Sequence, residues 1–196
     1  MNEEARIRDD IATYAASLHH RGYTHGSTGN ISARVEDGLL VSPAGSSFAE
    51  LDPANLSKLD FEGNHLSGGA PTKESFLHLA VYAARPKARA VVHLHSPYAV
   101  ALSCLTAKNP DDEVPKLTAY GHMLCGKVAL LPYYRPGDLA LAEAVKQKTA
   151  DHWCILLAQH GPVVAGTSLK SAVYASEELE QTARLALLLR DAAPNT

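Results

Sequence analysis

Cysteine is scarce in this chain. Its three residues, Cys104, Cys125 and Cys154, are odd in number and none sits in a C-x-x-C pair. That argues against a disulfide framework and points to free thiols in a reducing cytoplasm. A basic excess is missing too: 18 Lys and Arg against 21 Asp and Glu leave a net charge of −3. Without a basic field, nucleic acid is not an expected partner. No apolar run approaches the roughly 18 residues of a membrane span, so no membrane partner is expected either. The opening Met1-Asn-Glu-Glu-Ala-Arg6 lacks the apolar stretch of a secretion signal, which again leads to a cytoplasmic expectation. No repeat, linker or low-complexity block interrupts the sequence, so residues 1–196 read as one domain. What is present is an ordinary apolar share of 46% and a high count of ten histidines. The histidines are the one compositional hint of metal chemistry.

Two of them stand together in Arg89-Ala-Val-Val-His-Leu-His-Ser-Pro-Tyr98. Ala90-Val-Val92 is apolar and mostly β-branched, which suits a buried strand. A strand repeats every two residues, so His93 and His95 leave the same face. Ser96-Pro97 then reads as an N-cap and first helical residue. Such a pair fits a metal grip, and it equally fits two structural histidines. A catalytic zinc usually takes three protein ligands and keeps one position open.

The flanking chain supplies further candidates. Asn2 caps a first helix with Glu3 and Glu4 in its first turn and Ile7, Ile11, Tyr14 and Leu18 on its inner stripe. Thr24-His-Gly-Ser-Thr-Gly-Asn-Ile-Ser32 is a loop of glycines and small polar residues. Its Gly29 and Asn30 can take the φ > 0 conformations of an anion nest, although an ordinary turn has the same composition. Strands at 31–35 and 39–42 follow, joined by Glu36-Asp37-Gly38. Ser42-Pro-Ala-Gly-Ser-Ser47 is a second small-residue loop containing Ser42 and Gly45. A second hairpin is expected from Leu59–Phe61 and His65–Leu66. Thr72 is the expected N-cap of a helix that ends before Pro86, which puts Lys73 and Glu74 in its first turn. Glu74 suits the helix dipole there, whereas Lys73 does not, so an anion nearby would account for Lys73. His78 falls on the helix body. Arg135-Pro-Gly-Asp138 turns the chain into a helix from Leu139. Cys154–Ala158 is a strand, and Val163–Gly166 is expected to continue it beyond a break at His160-Gly-Pro162. Thr167-Ser168 caps a long last helix. Its expected inner face includes Leu169, Val173, Leu179 and Ala183.

Gly29-Asn-Ile-Ser32, Ser42-Pro-Ala-Gly45, Pro71-Thr-Lys-Glu74, His93-Leu-His95 and His160-Gly161 together resemble the class II aldolase/adducin family over nearly the whole chain. Leu51-Asp-Pro53, His65-Leu-Ser-Gly68, Ala101–Leu105, Leu131–Asp138 and Gly161–Val164 look most like its 3-oxo-tetronate 4-phosphate decarboxylase branch. The resemblance implies a three-layer α/β/α fold around a mainly antiparallel sheet. It implies a Zn2+ ion (Mn2+ or Co2+ also fit) held by His93, His95 and His160, with Glu74 as acid/base. It further implies a homotetramer with sites between subunits, to which Tyr120 and His122 would reach across. Gly29, Asn30, Ser42, Gly45, Thr72 and Lys73 would bind a phosphorylated small molecule. Gln159 stands where that branch has Asn.

On this reading the chain would decarboxylate a 3-oxo-tetronate 4-phosphate to dihydroxyacetone phosphate and CO2 through an enediolate stabilised by the metal as a Lewis acid. Glu74 would return the proton to carbon, and Lys73 would hold the carboxylate or the phosphate. Two alternatives stand beside it: a sugar-phosphate aldolase or epimerase of the same family, and an adducin-head-like structural module without chemistry. Retention of His93, His95, His160 and Glu74 together weighs against the last.

Overall fold

The computed structural model describes residues 2–135 and 137–192. Pro136, within the expected Arg135–Asp138 turn, and residues 1 and 193–196 of the expected domain lie outside the described residues.

Eight strands form one sheet in the order β4-β3-β2-β1-β5-β8-β7-β6. They are β1 (Asn30–Val35), β2 (Gly38–Val41), β3 (Ser57–Leu59), β4 (His65–Ser67), β5 (Ala90–His93), β6 (Val128–Leu131), β7 (Cys154–Leu157) and β8 (Gly161–Gly166). Every neighbouring pair is antiparallel except β6 and β7. That one parallel pair follows from the chain between them. Its ends are joined through a full helix, α4 (Leu139–Thr149), and a parallel pair needs such a crossover.

Strand alternation divides the sheet into two buried faces. Ala90 and Val92 pack with Ile31, Ala33, Leu40 and the helices α1 (Glu3–His20) and α5 (Leu169–Leu188). Farther along the same face, α3 (Pro97–Ser103) and α5 cover Val128, Leu130, Leu156 and Val164. Val91 points the other way, into a core with Leu39, Val41, Ile155 and Val163 under α2 (Ser75–Ala84) and α4. Helices therefore lie on both faces of a mainly antiparallel sheet, as the sequence led us to expect.

The caps are set locally. Asn2, Asp138 and Ser168 each accept a backbone N–H of the following turn, and Ser168 forms a reciprocal pair with Ser171. Four expectations need correction. Helix α2 begins at Ser75, so Glu74, not Thr72, occupies the N-cap position, and Lys73 precedes the helix. Thr72 instead accepts from the Glu74 N–H at 3.4 Å through its hydroxyl. The setting is tertiary: Pro71 is bridged to Pro43 of the 42–47 loop, and the chain passes through a turn at Lys73-Glu74, closed by the Ser75 N–H to the Thr72 carbonyl at 3.1 Å, before the helix starts. Strand β8 does not continue β7; it folds back on it with Leu157 opposite Gly161. The chain reverses through Ala158-Gln159-His160, with Gln159 at φ 59. The second hairpin pairs Ser57–Leu59 with His65–Ser67, so Phe61 belongs to its turn. Finally, the Ser96 side chain caps nothing. The buried Glu180 carboxylate of α5 takes the Tyr98 and Ala99 N–H groups at 2.8 and 2.7 Å.

Candidate metal centre

Two segments deliver the three histidines to one point. Strand β5 ends on His93, which is fully buried, and His95 follows two residues on. His160 comes from the reversal between β7 and β8. Two glycines allow this convergence. At Gly29 (φ +81) an added Cβ would lie 2.9 Å from the His93 carbonyl oxygen, and at Gly161 (φ +146) it would lie 2.1 Å from that of Leu94. Both loops therefore press directly on the backbone that carries His93 and His95.

The ring geometry suits a cation. The His93 Nδ1–H donates to the Pro162 carbonyl at 2.9 Å. A carbonyl only accepts, so this bond fixes the tautomer and leaves the Nε2 lone pair facing the cluster. That Nε2 lies 3.2 Å from His95 Nε2 and 3.3 Å from His160 Nε2. Three nitrogens each ~2.0–2.1 Å from one tetrahedral ion would stand about 3.3–3.4 Å apart. Glu74 completes the group: its Oε1 is 3.2 Å from His160 Nε2 and its Oε2 is 3.5 Å from His93 Nε2. All four ligand atoms lie within 4.8 Å of one another. A cation placed between these atoms would be shared by all four of them.

The electrostatics agree. Burial drives the His93 imidazole below its ordinary pKa, and burial with the neighbouring His93 and His160 pushes His95 down to about 3. Both rings are neutral at pH 7 and available as ligands. Burial pushes the Glu74 carboxyl up. The His160 hydrogen bond, the neighbouring imidazoles and the Asn30 amide outweigh it and hold the group well below the usual carboxylate range. Although Glu74 occupies the N-cap position of α2, its side chain makes no capping bond. The carboxylate is turned toward the histidines instead.

The small-residue loops gather at the same end of the sheet. Asn30 donates an amide N–H to Glu74 Oε2 at 2.7 Å, which leaves its second amide N–H for a ligand. Ser42 is buried, and its hydroxyl accepts from the Ile31 N–H. Gly45 is exposed at φ +70. Among the described residues, the N–H groups of Gly29, Gly45 and Ser47 donate to no protein acceptor. Lys73 is exposed beside Glu74, with no ion pair among the described residues. Tyr120 is not brought to the cluster within this chain. It is 64% exposed at the start of the π-helical turn Gly121–Cys125, which packs on α5. His78 lies within α2 as expected; what sequence reasoning missed is that it is fully buried and bonds Asn30.

These features are those of a known class. The family model for the class II aldolase and adducin N-terminal domain matches residues 9–187, and the chain belongs to that family. It is 46% identical to a 3-oxo-tetronate 4-phosphate decarboxylase of Escherichia coli, a match covering 96% of this chain and 89% of that one. It is 44% identical to the decarboxylase of Pectobacterium atrosepticum, over 97% of this chain and 88% of the relative. An L-fuculose phosphate aldolase of Methanocaldococcus jannaschii is 34% identical over 87% and 90%. Among solved structures, YgbL of Klebsiella pneumoniae superposes with a TM-score of 0.96 at 42% identity, covering 100% of this chain and 95% of that one.

Proposed function

We propose that the chain is a metal-dependent carbon–carbon lyase that decarboxylates a 3-oxo-tetronate 4-phosphate to dihydroxyacetone phosphate and CO2. The observation that carries this is the set of three imidazole Nε2 atoms and one carboxylate within 4.8 Å, in a chain 44–46% identical to decarboxylases of that name along almost its full length. His93, His95 and His160 would hold the ion; their spacing is compatible with Zn2+, and Mn2+ or Co2+ also fit such a ligand set. When bound, it supplies a Lewis acid for the negative charge left on the substrate as CO2 departs.

The chain's own residues do the rest. Glu74, anionic at neutral pH, picks up a proton from solvent and delivers it to the carbon that CO2 has left. Asn30 holds one Glu74 oxygen and keeps one amide N–H for the substrate. The N–H groups around Gly29 and Gly45, with Ser42 and Thr72 shaping the loops, form the seat for the phosphate. Lys73 offers the charge that recognises the substrate carboxylate or its phosphate. The working assembly is a homotetramer. Exposed Met123, Leu124 and Tyr174, which border one cavity of about 430 Å³, support an apolar subunit contact beside Tyr120. Free thiols at Cys104, Cys125 and Cys154 fit a cytoplasmic setting.

The test is a substrate comparison on zinc-loaded protein. CO2 release from a 3-oxo-tetronate 4-phosphate should exceed cleavage of L-fuculose 1-phosphate by orders of magnitude. The reverse order would make the chain an aldolase.

A further inference from the structure

The Glu74 carboxylate stands at the end of a buried hydrogen-bond chain that the activity alone does not call for. Tyr82 Oη lies 2.8 Å from Ser32 Oγ, which lies 2.7 Å from His78 Nδ1. His78 Nε2 is 2.5 Å from Asn30 Oδ1, and Asn30 Nδ2 is 2.7 Å from Glu74 Oε2. His78 and Ser32 are fully buried, with Asn30 and Tyr82 at 2% and 3% exposure. The links from Tyr82 to Asn30 are shut off from solvent, and only the Glu74 end is partly exposed.

Chemistry fixes the direction of every link. An ionised carboxylate only accepts, so Asn30 must turn its NH2 toward Glu74 and its carbonyl toward His78. His78 must then donate from Nε2, which leaves Nδ1 to accept from the Ser32 hydroxyl. The Ser32 oxygen accepts in turn from Tyr82. All four donors point toward Glu74, and aligned bonds of this kind reinforce one another.

We propose that His78, as the neutral Nε2–H tautomer, is a positioning residue that holds the carbonyl end of the Asn30 amide and thereby fixes the amide N–H that sets the Glu74 carboxylate. An Asn side chain is nearly isosteric when flipped. Without a donor at His78, the buried Asn30 oxygen loses its partner, and the amide, no longer held at both ends, can rotate out of line with Glu74. Burial, with His93 nearby, pushes the His78 imidazole down to about 3, consistent with a neutral ring. The inference rests on the reading of Glu74 as the acid/base, and it adds a residue that never touches substrate or metal.

Two measurements test it. In ¹⁵N-histidine-labelled, zinc-loaded protein, the imidazole resonance that disappears in His78→Gln should show the Nε2–H tautomer at pH 7. In kinetics, His78→Phe should lower kcat about ten- to a hundredfold, with KM and zinc affinity by chelator competition within about threefold of wild type. His78→Gln, whose amide can still donate to Asn30, should recover kcat to within about fivefold. An Nδ1–H tautomer overturns the proposal, as does a Gln variant no better than Phe or a zinc affinity that falls in step with kcat. If His78→Phe does not fold, the tautomer and the Gln variant decide. Should the wild-type enzyme release no CO2, the functional reading fails, while the tautomer still reports the direction of the chain.

Discussion

A Cβ on Gly161 would lie 2.1 Å from the Leu94 carbonyl oxygen, so the residue after His160 is packed backbone to backbone against the residue between His93 and His95. This contact joins the two strands that carry the histidines. At φ +146 the conformation also belongs to glycine alone. Gly161→Ala meets both obstacles and should cost about 3 kcal/mol or more of stability, read by urea unfolding. It should also weaken zinc binding, because His160 moves with its neighbour. A variant with wild-type stability and zinc affinity would show that this contact does not hold the site.

Much of this was legible in the chain. Ala90-Val-Val92 has the β-branched apolar character of a buried strand, and Asn2, Asp138 and Ser168 cap their helices with their own side chains, which is a local matter. What could not be read depends on partners distant in sequence. Ser96 looks like an N-cap, but Glu180, 82 and 81 residues from Tyr98 and Ala99, takes that role. Thr72 looks like one as well, but Pro71 is tied to Pro43 and the N-cap falls two residues later, at Glu74. His78 falls within an apolar helical stripe, and nothing local reveals that Asn30 waits across the sheet. The reversal at Gln159 was hidden because Gly-Pro reads as a break in one strand as readily as the start of a returning one.

Metal removal separates chemistry from folding. The three apolar clusters lie on the faces of the sheet and do not depend on an ion. Chelated protein should keep its far-UV circular dichroism and lose activity. Zinc at a hundredfold its Kd should then add about 2.7 kcal/mol of stability, visible as a rise in Tm. His93→Ala should abolish that rise. A chelated protein that unfolds outright would mark the ion as structural.

The buried His78 makes stability depend on pH. Its folded pKa is about 3, against roughly 6.5 in the unfolded chain. Between these values the unfolded state binds a proton that the folded state refuses. Stability is therefore complete above about pH 6.5 and declines as pH falls toward 3, by at most ~1.4 kcal/mol per pH unit for this one group. Urea unfolding of metal-free wild type and His78→Gln at pH 7.5, 6 and 5 measures it. The Gln variant should have the shallower slope; equal slopes would mean that His78 is not held neutral.

Lys73 gives the sharpest separation of substrate from metal. It is exposed, carries no ion pair among the described residues and adjoins Glu74 along the chain. A cation so placed adds nothing to the fold, and ahead of a helix start it is mildly unfavourable. On the proposed function, its value lies in an anion that arrives with the substrate. Lys73→Ser should leave unfolding and zinc affinity within experimental error of wild type. It should lower kcat/KM for decarboxylation about tenfold or more, the scale of one charge-assisted hydrogen bond lost at a binding site. The loss should fall mainly on KM if Lys73 grips the phosphate, which is unchanged through the reaction, and on kcat if it grips the departing carboxylate. Decarboxylation at the wild-type rate in Lys73→Ser would remove Lys73 from the site altogether.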